Sequence, residues 1–150
     1  MRETINAAMK QAMRDKEALR LSTLRLVMAA IKDRDIATRV DGVEISIGDD
    51  EILGILGKMI KQRKDSAQAY EAAERMELAQ QELSEIKIIQ EFLPKQLNDT
   101  EVEDAVKKAI ADTDASSIRD MGKVMGILKS TYTGQMDFGK AGGAVKALLG

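Results

Sequence analysis

The 150-residue chain contains no histidine and no cysteine. Histidine is the side chain best placed to carry protons near neutral pH, and with cysteine it supplies most zinc ligands. Ser-His-Asp and Cys-His catalysis, zinc-activated hydrolysis and thiol redox chemistry are therefore excluded within this chain. Without cysteine no disulfide is needed, which fits the cytoplasm, the predicted compartment. There is one proline, no tryptophan and only 3% aromatic residues. The core must then be built from Leu, Ile, Val, Met and Ala, a palette that suits helices. No run approaches the length of a membrane span, and Met1–Asn6 is polar with no apolar segment behind it. Neither a membrane partner nor a signal peptide is expected.

Neither sign of charge dominates. Lys and Arg number 23, Asp and Glu 25, and the net charge is -2. A protein that coats nucleic acid is usually strongly basic. Any contact with nucleic acid must come from a local patch. Hydrophobic residues make up 44% of the chain, which is enough for a packed core.

Apolar spacing of three and four residues predicts helices throughout. The first two span 2–14 and 18–38, the second on Leu21, Leu24, Met28 and Ile31. Segment 40–48 breaks the pattern with a turn at Asp41-Gly42 and reads as a loop. Asp49, Asp50 and Glu51 make an acidic start for a helix running to about residue 72, with Leu53, Leu56, Ile60 and Ala67 inward. A fourth helix, 75–92, places Ala79, Leu83, Ile86, Ile89 and Leu93 on one side and stops at Pro94. Asn98 with Glu101 resembles a capping box. A domain boundary is placed at 94–98. Three short helices follow at 99–112, 118–131 and 138–149, and Gly134 is a stop for the second. Gly139, Gly142 and Gly143 weaken the last, which must depend on docking. The predicted fold is all-α. An N-terminal helical domain of about four helices, residues 1–94, precedes a small three-helix bundle, residues 95–150.

Two segments are candidates for binding. The densest basic cluster runs from Lys58 to Ser66 and contains Lys58, Lys61, Arg63 and Lys64. On a helix Lys58, Lys61, Gln62 and Asp65 share a face, Lys64 sits beside Lys61, and Arg63 drifts away. Such a stripe is a solvated face or a phosphate-contacting one. Arg20 and Arg25 extend it if the second and third helices lie side by side. In the second segment Gly122 and Gly126 fall on one helical face, with Lys123 beside them. They serve close helix packing or leave a bare backbone for a ligand's approach. Phe92-Leu93-Pro94 reads as structural. Candidate catalysts are poor. Asp49-Asp50-Glu51 is better read as a helix start than a Mg2+ site, and Ser117 with Asp120 as a cap. No metal or cofactor is expected, and no phosphate-binding glycine loop is present.

Arg20–Arg25, Lys61–Ser66, Phe92–Leu97 and Ser116–Gly126 together resemble the YqeY-like family of small bacterial proteins over essentially the whole chain. Asp120–Gly126 also resembles the tail domain of the B subunit of the glutamine-dependent aspartyl/glutamyl-tRNA amidotransferase. In that enzyme the tail is a helical module that engages tRNA, and the chemistry lies elsewhere. The resemblance implies a two-part helical protein linked to tRNA-dependent amidation, a carbon–nitrogen ligase activity with glutamine as amide donor. Nothing in the chain looks like the amidase Ser-Lys centre or an ATP-binding site. The expectation is therefore an accessory protein that binds tRNA without catalysing. Gly122, Lys123, Gly126, Lys129 and Lys95 would form one surface, and Lys58, Lys61, Arg63 and Lys64 a second. The partners are tRNA and the amidotransferase or another translation-related protein. The alternative is a protein-interaction module in which Met121 and Met125 dock a partner.

Overall fold

The computed structural model describes residues 1–43 and 45–150. Glu44, within the segment read as a loop, lies outside them. The chain is all-helical, with seven α-helices among the described residues. They are α1 (Arg2–Arg14), α2 (Ala18–Ala37), α3 (Asp49–Ala72), α4 (Met76–Gln90), α5 (Asp99–Asp112), α6 (Met121–Thr131) and α7 (Phe138–Leu149). A 3-10 turn, Ile118–Asp120, leads into α6. The helices form two compact units, Met1–Leu93 and Pro94–Gly150.

In the N-terminal unit α3 packs chiefly on α4, and α2 packs on α1 and α4. Ile5, Leu24, Val27, Ile31, Ile52, Leu56 and Ile89 are buried together. Phe92 and Leu93 pack against this core. α2 and α3 also share this core, but Arg20 does not extend the basic stripe of α3. Arg20 is instead bonded to Glu91 at 2.6 Å and lies 3.7 Å from Glu17.

Three helix ends share one device. Lys16, Glu74 and Asp114 have φ of 56°, 59° and 52°. The following N–H in each case reaches back to the carbonyl of Ala12, Tyr70 or Ile110. This is a Schellman closure with the left-handed position taken by a side chain other than glycine. No glycine marks these corners in the sequence.

An ion pair ties Ile47, just before α3, to α1 and α2. Asp35, which is 2% exposed, takes both Arg2 Nη atoms at 2.8 and 2.9 Å and the Ile47 N–H at 2.8 Å. The same contacts, the Arg2 guanidinium first, hold the Asp35 carboxyl below its ordinary range against the opposing effect of burial. Val40 and Val43 exchange both backbone hydrogen bonds around Asp41-Gly42, where Gly42 has φ 78°. Folding lowers this pKa, so the stabilisation it brings is complete above about pH 4 and lost as pH falls below. Asp35→Asn is expected to unfold at lower urea than the parent at pH 6, with the gap closing towards pH 3. A gap independent of pH in urea titrations would contradict the linkage.

The C-terminal unit buries Val106, Val124, Leu128, Ala141 and Val145. Asn98 Oδ1 accepts the Glu101 N–H at 2.8 Å, and Glu101 Oε1 accepts the Asn98 N–H at 3.3 Å, completing the capping box. Gly134, at φ 75°, follows α6 in a conformation that favours glycine. Leu97 N–H donates to the Gln135 carbonyl, which ties the entry strand of chain to this turn. Gly142 is buried, and a Cβ there would lie 3.5 Å from Met121 Cε and 3.8 Å from Met125 Cε. α7 does dock, and the two methionines are part of what it docks on.

Candidate functional site

Most of the exposed cations that the sequence singled out lie where they can be reached. Lys58, Lys61, Lys64, Lys95, Lys123 and Lys129 are all exposed. None of them makes an ion pair among the described residues. Arg63 is different. Its Nε donates to Glu85 Oε2 at 2.9 Å and its Nη1 to the Met59 carbonyl at 3.2 Å. The two side chains are only 13% and 11% exposed. Arg63 lies about half a turn round α3 from the lysines, on the side that faces α4. It holds the hairpin of α3 and α4 together and is withdrawn from the basic surface.

Glu82 stands next to this pair. Burial, then the neighbouring Glu85 charge, pushes its carboxyl above the ordinary range, and Arg63 partly offsets that. Sequence periodicity put Leu83 inward on α4, but Leu83 is 37% exposed and Glu85 is the buried residue. Satisfying Arg63 requires the carboxylate on the inner face.

On α6, Gly122 and Gly126 are exposed, and a Cβ built at either meets nothing within 4 Å. Close helix packing within this unit is therefore not their purpose. At about 100° per residue, Lys129 falls on one side of the glycine line and Lys123 on the other. Arg119 lies one turn before Gly122 and is exposed. Gln96 Nε2 bonds the Gly134 carbonyl, so Lys95 stands by the turn that ends α6, the end at which Lys129 lies. Met121 and Met125 are half-buried beside Gly142.

Charge is segregated within this unit. Residues 94–114 carry three basic and six acidic side chains, whereas 115–150 carry five basic and two acidic. Both of those acids are engaged with backbone. Asp120 Oδ2 accepts from the Ser116 and Ser117 N–H groups at 3.0 and 3.4 Å. These bonds hold its carboxyl below the usual range, with a smaller effect from Lys123. Asp137 accepts the Gly139 and Lys140 N–H groups at the start of α7. Arg119, Lys123, Lys129, Lys140 and Lys146 have no ion-pair partner among the described residues. The sequence showed the glycines and lysines of this surface. The cap at Ser117 and Asp120 was also legible there, and the Asp120 bonds bear it out; that Asp137 is likewise occupied, at the start of α7, was not.

Among the described residues the acidic groups considered as catalysts are engaged elsewhere. Glu51 bonds Arg34 at 3.1 Å, and Asp49 lies 3.5 Å from the amino-terminal nitrogen. Among the described residues no three acidic groups converge to hold a metal ion. An open groove of about 370 Å³ between α2 and α3 has a floor of Ala30, Ala37, Ile55 and Met59. No helix among the described residues is long and apolar enough to cross a membrane.

A family model described as Yqey-like protein matches residues 2–149. The protein named "Altered inheritance of mitochondria protein 41, mitochondrial" of Vanderwaltozyma polyspora is 36% identical over 85 residues. That alignment covers 57% of this chain and 44% of the yeast protein. The protein of the same name from Candida glabrata is 32% identical over 107 residues, covering 71% of this chain and 56% of its own length. An uncharacterized protein of Schizosaccharomyces pombe is 25% identical over 95 residues, 63% of this chain and 73% of that protein. The chain thus spans about half the length of the first two relatives. These relatives are fungal, whereas the sequence suggested small bacterial proteins. The all-helical architecture and the match from residue 2 to residue 149 show that the chain belongs to the YqeY-like family.

Proposed function

We propose that this protein binds tRNA through the exposed face of α6 and acts as an accessory to tRNA-dependent amidation without catalysing it. The observation that carries the reading is the bare backbone at Gly122 and Gly126 between Lys123 and Lys129. A glycine in an exposed helix interior costs about 1 kcal/mol relative to alanine. Here Gly126 is kept in the interior of α6 and Gly122 in its first turn, and nothing packs on either. Lysines on both sides suit a phosphodiester backbone that must come close to the helix, and contacts of that kind position a nucleic acid without reading its bases. The sequence likeness of Asp120–Gly126 to the amidotransferase tail supplies the choice of tRNA over other polyanions. Partners would be tRNA and the amidotransferase or another translation-related protein. The relatives' names place them in mitochondria. The reading suits either that compartment or the cytoplasm, since both use tRNA.

Lys123→Glu with Lys129→Glu is expected to weaken binding of bulk tRNA at least tenfold at low ionic strength, read by fluorescence titration. Gly126→Leu keeps every charge and favours the helix, yet should weaken binding as well, because it covers the backbone. Parental affinity in both variants would remove α6 from the interface. Salt-tolerant capture of the amidotransferase alone would favour the protein-interaction reading.

A further inference from the structure

The helix α3 repeats the arrangement of α6. Gly54 and Gly57 are exposed, and a Cβ at either meets nothing within 4 Å. Lys58, Lys61 and Lys64 are exposed and unpaired among the described residues. No acidic residue lies between Gly54 and Lys64. At helical spacing Gly54, Gly57, Lys61 and Lys64 follow one line, with Lys58 beside it. Asp65 is the next acid on that face. Even the local order matches. Gly57-Lys58-Met59-Ile60 turns Gly and Lys outward and buries Met59 and Ile60, while Gly122-Lys123-Val124-Met125 turns Gly and Lys outward and buries Val124. The pair formed by Arg63 and Glu85 on the opposite side fixes the rotation of α3 and so keeps the lysines facing out. Other exposed cations of the chain do find partners, as Lys107 does with Glu103 at 2.9 Å and Arg34 with Glu51.

We propose that α3 carries a second RNA-phosphate-contacting surface, formed by Lys58, Lys61 and Lys64 over the open backbone at Gly54 and Gly57, so that the chain engages one RNA through two tethered sites. The choice of RNA rests on the reading of α6. The surface itself rests on the charge and exposure of α3. Tethering makes the second contact intramolecular and multiplies affinity without any new contact type.

The test uses the full-length chain carrying Lys58→Glu, Lys61→Glu and Lys64→Glu, titrated with bulk tRNA over a series of salt concentrations. Affinity at low salt should fall at least tenfold. The slope of log K against log salt should become shallower by about 2 to 3, because each phosphate contact contributes roughly 0.7 to 0.9. A variant with the same change in charge elsewhere (Lys10→Glu, Lys16→Glu, Lys87→Glu) should lose less than threefold. Gly54→Leu with Gly57→Leu, which keeps the lysines, should also weaken binding. If the α3 variant binds like its charge-matched control, the inference is overturned and the α6 reading stands on its own variants. If the α3 variant weakens binding while the α6 variant does not, the α6 reading falls and the two-site engagement is overturned with it, leaving α3 as a single surface.

Discussion

Leu128→Ala is expected to unfold much of the C-terminal unit while leaving Met1–Leu93 folded. Leu128 is fully buried and packs with Val106, Val124 and Val145. Truncating a buried leucine to alanine costs roughly 2–5 kcal/mol, the transfer of its methyl groups plus the cavity left behind. A unit as small as Pro94–Gly150 has about 3–8 kcal/mol of stability in total. Its helices are short, and α7 carries three glycines within Phe138–Leu149, so little else compensates. Hydrogen exchange should show amides of α5, α6 and α7 losing protection while those of α2 and α3 keep theirs. Binding at α6 should be lost with the fold. Parental protection in α5–α7 would mean that the core described around Leu128 is not what holds the unit together.

The second large effect is at Arg63. Arg63→Ala removes the partner of Glu85 and leaves a largely buried carboxylate beside Glu82. Removing one member of a buried pair costs about 3–5 kcal/mol, and residual exposure brings this one to about 2–3. Without the guanidinium the two carboxylates repel, so the variant should become more stable as pH falls towards the carboxylate range. Arg63→Met with Glu85→Leu should recover most of the stability, since a packed apolar pair replaces the ion pair without desolvating charge. Urea unfolding of the three proteins at pH 7 and pH 5 measures this. An Arg63→Ala protein as stable as the parent would show that Arg63 is a surface cation after all and return it to the basic stripe.

Much of this was visible in the sequence, for physical reasons that differ by element. Helical spans follow from apolar spacing, and the start of α5 from the reciprocal needs of Asn98 and Glu101. The stop before Pro94 follows from a steric rule. Other features need three dimensions. The corners at Lys16, Glu74 and Asp114 hold left-handed residues with no glycine to announce them. Asp35 sits on a helix that looks ordinary, and only the fold brings Arg2 and the Ile47 N–H to it. Arg63 belongs by sequence to the densest cluster of positive charge, and its helical phase hinted at its departure. Its partner, 22 positions away, could not be read. At the candidate site, glycine and lysine spacing on α6 was legible. The openness above Gly122 and Gly126 was not, because a helix pattern does not say what covers a face.

In the proposal above, a nearly neutral chain binds tRNA through local cationic faces. The most direct measurement is the affinity of the purified full-length protein for bulk tRNA and for duplex DNA of equal charge, at low and at moderate salt. Binding should favour tRNA and weaken steeply as salt rises, through release of counterions. No tRNA binding at low salt, or equal binding of the DNA, would contradict it.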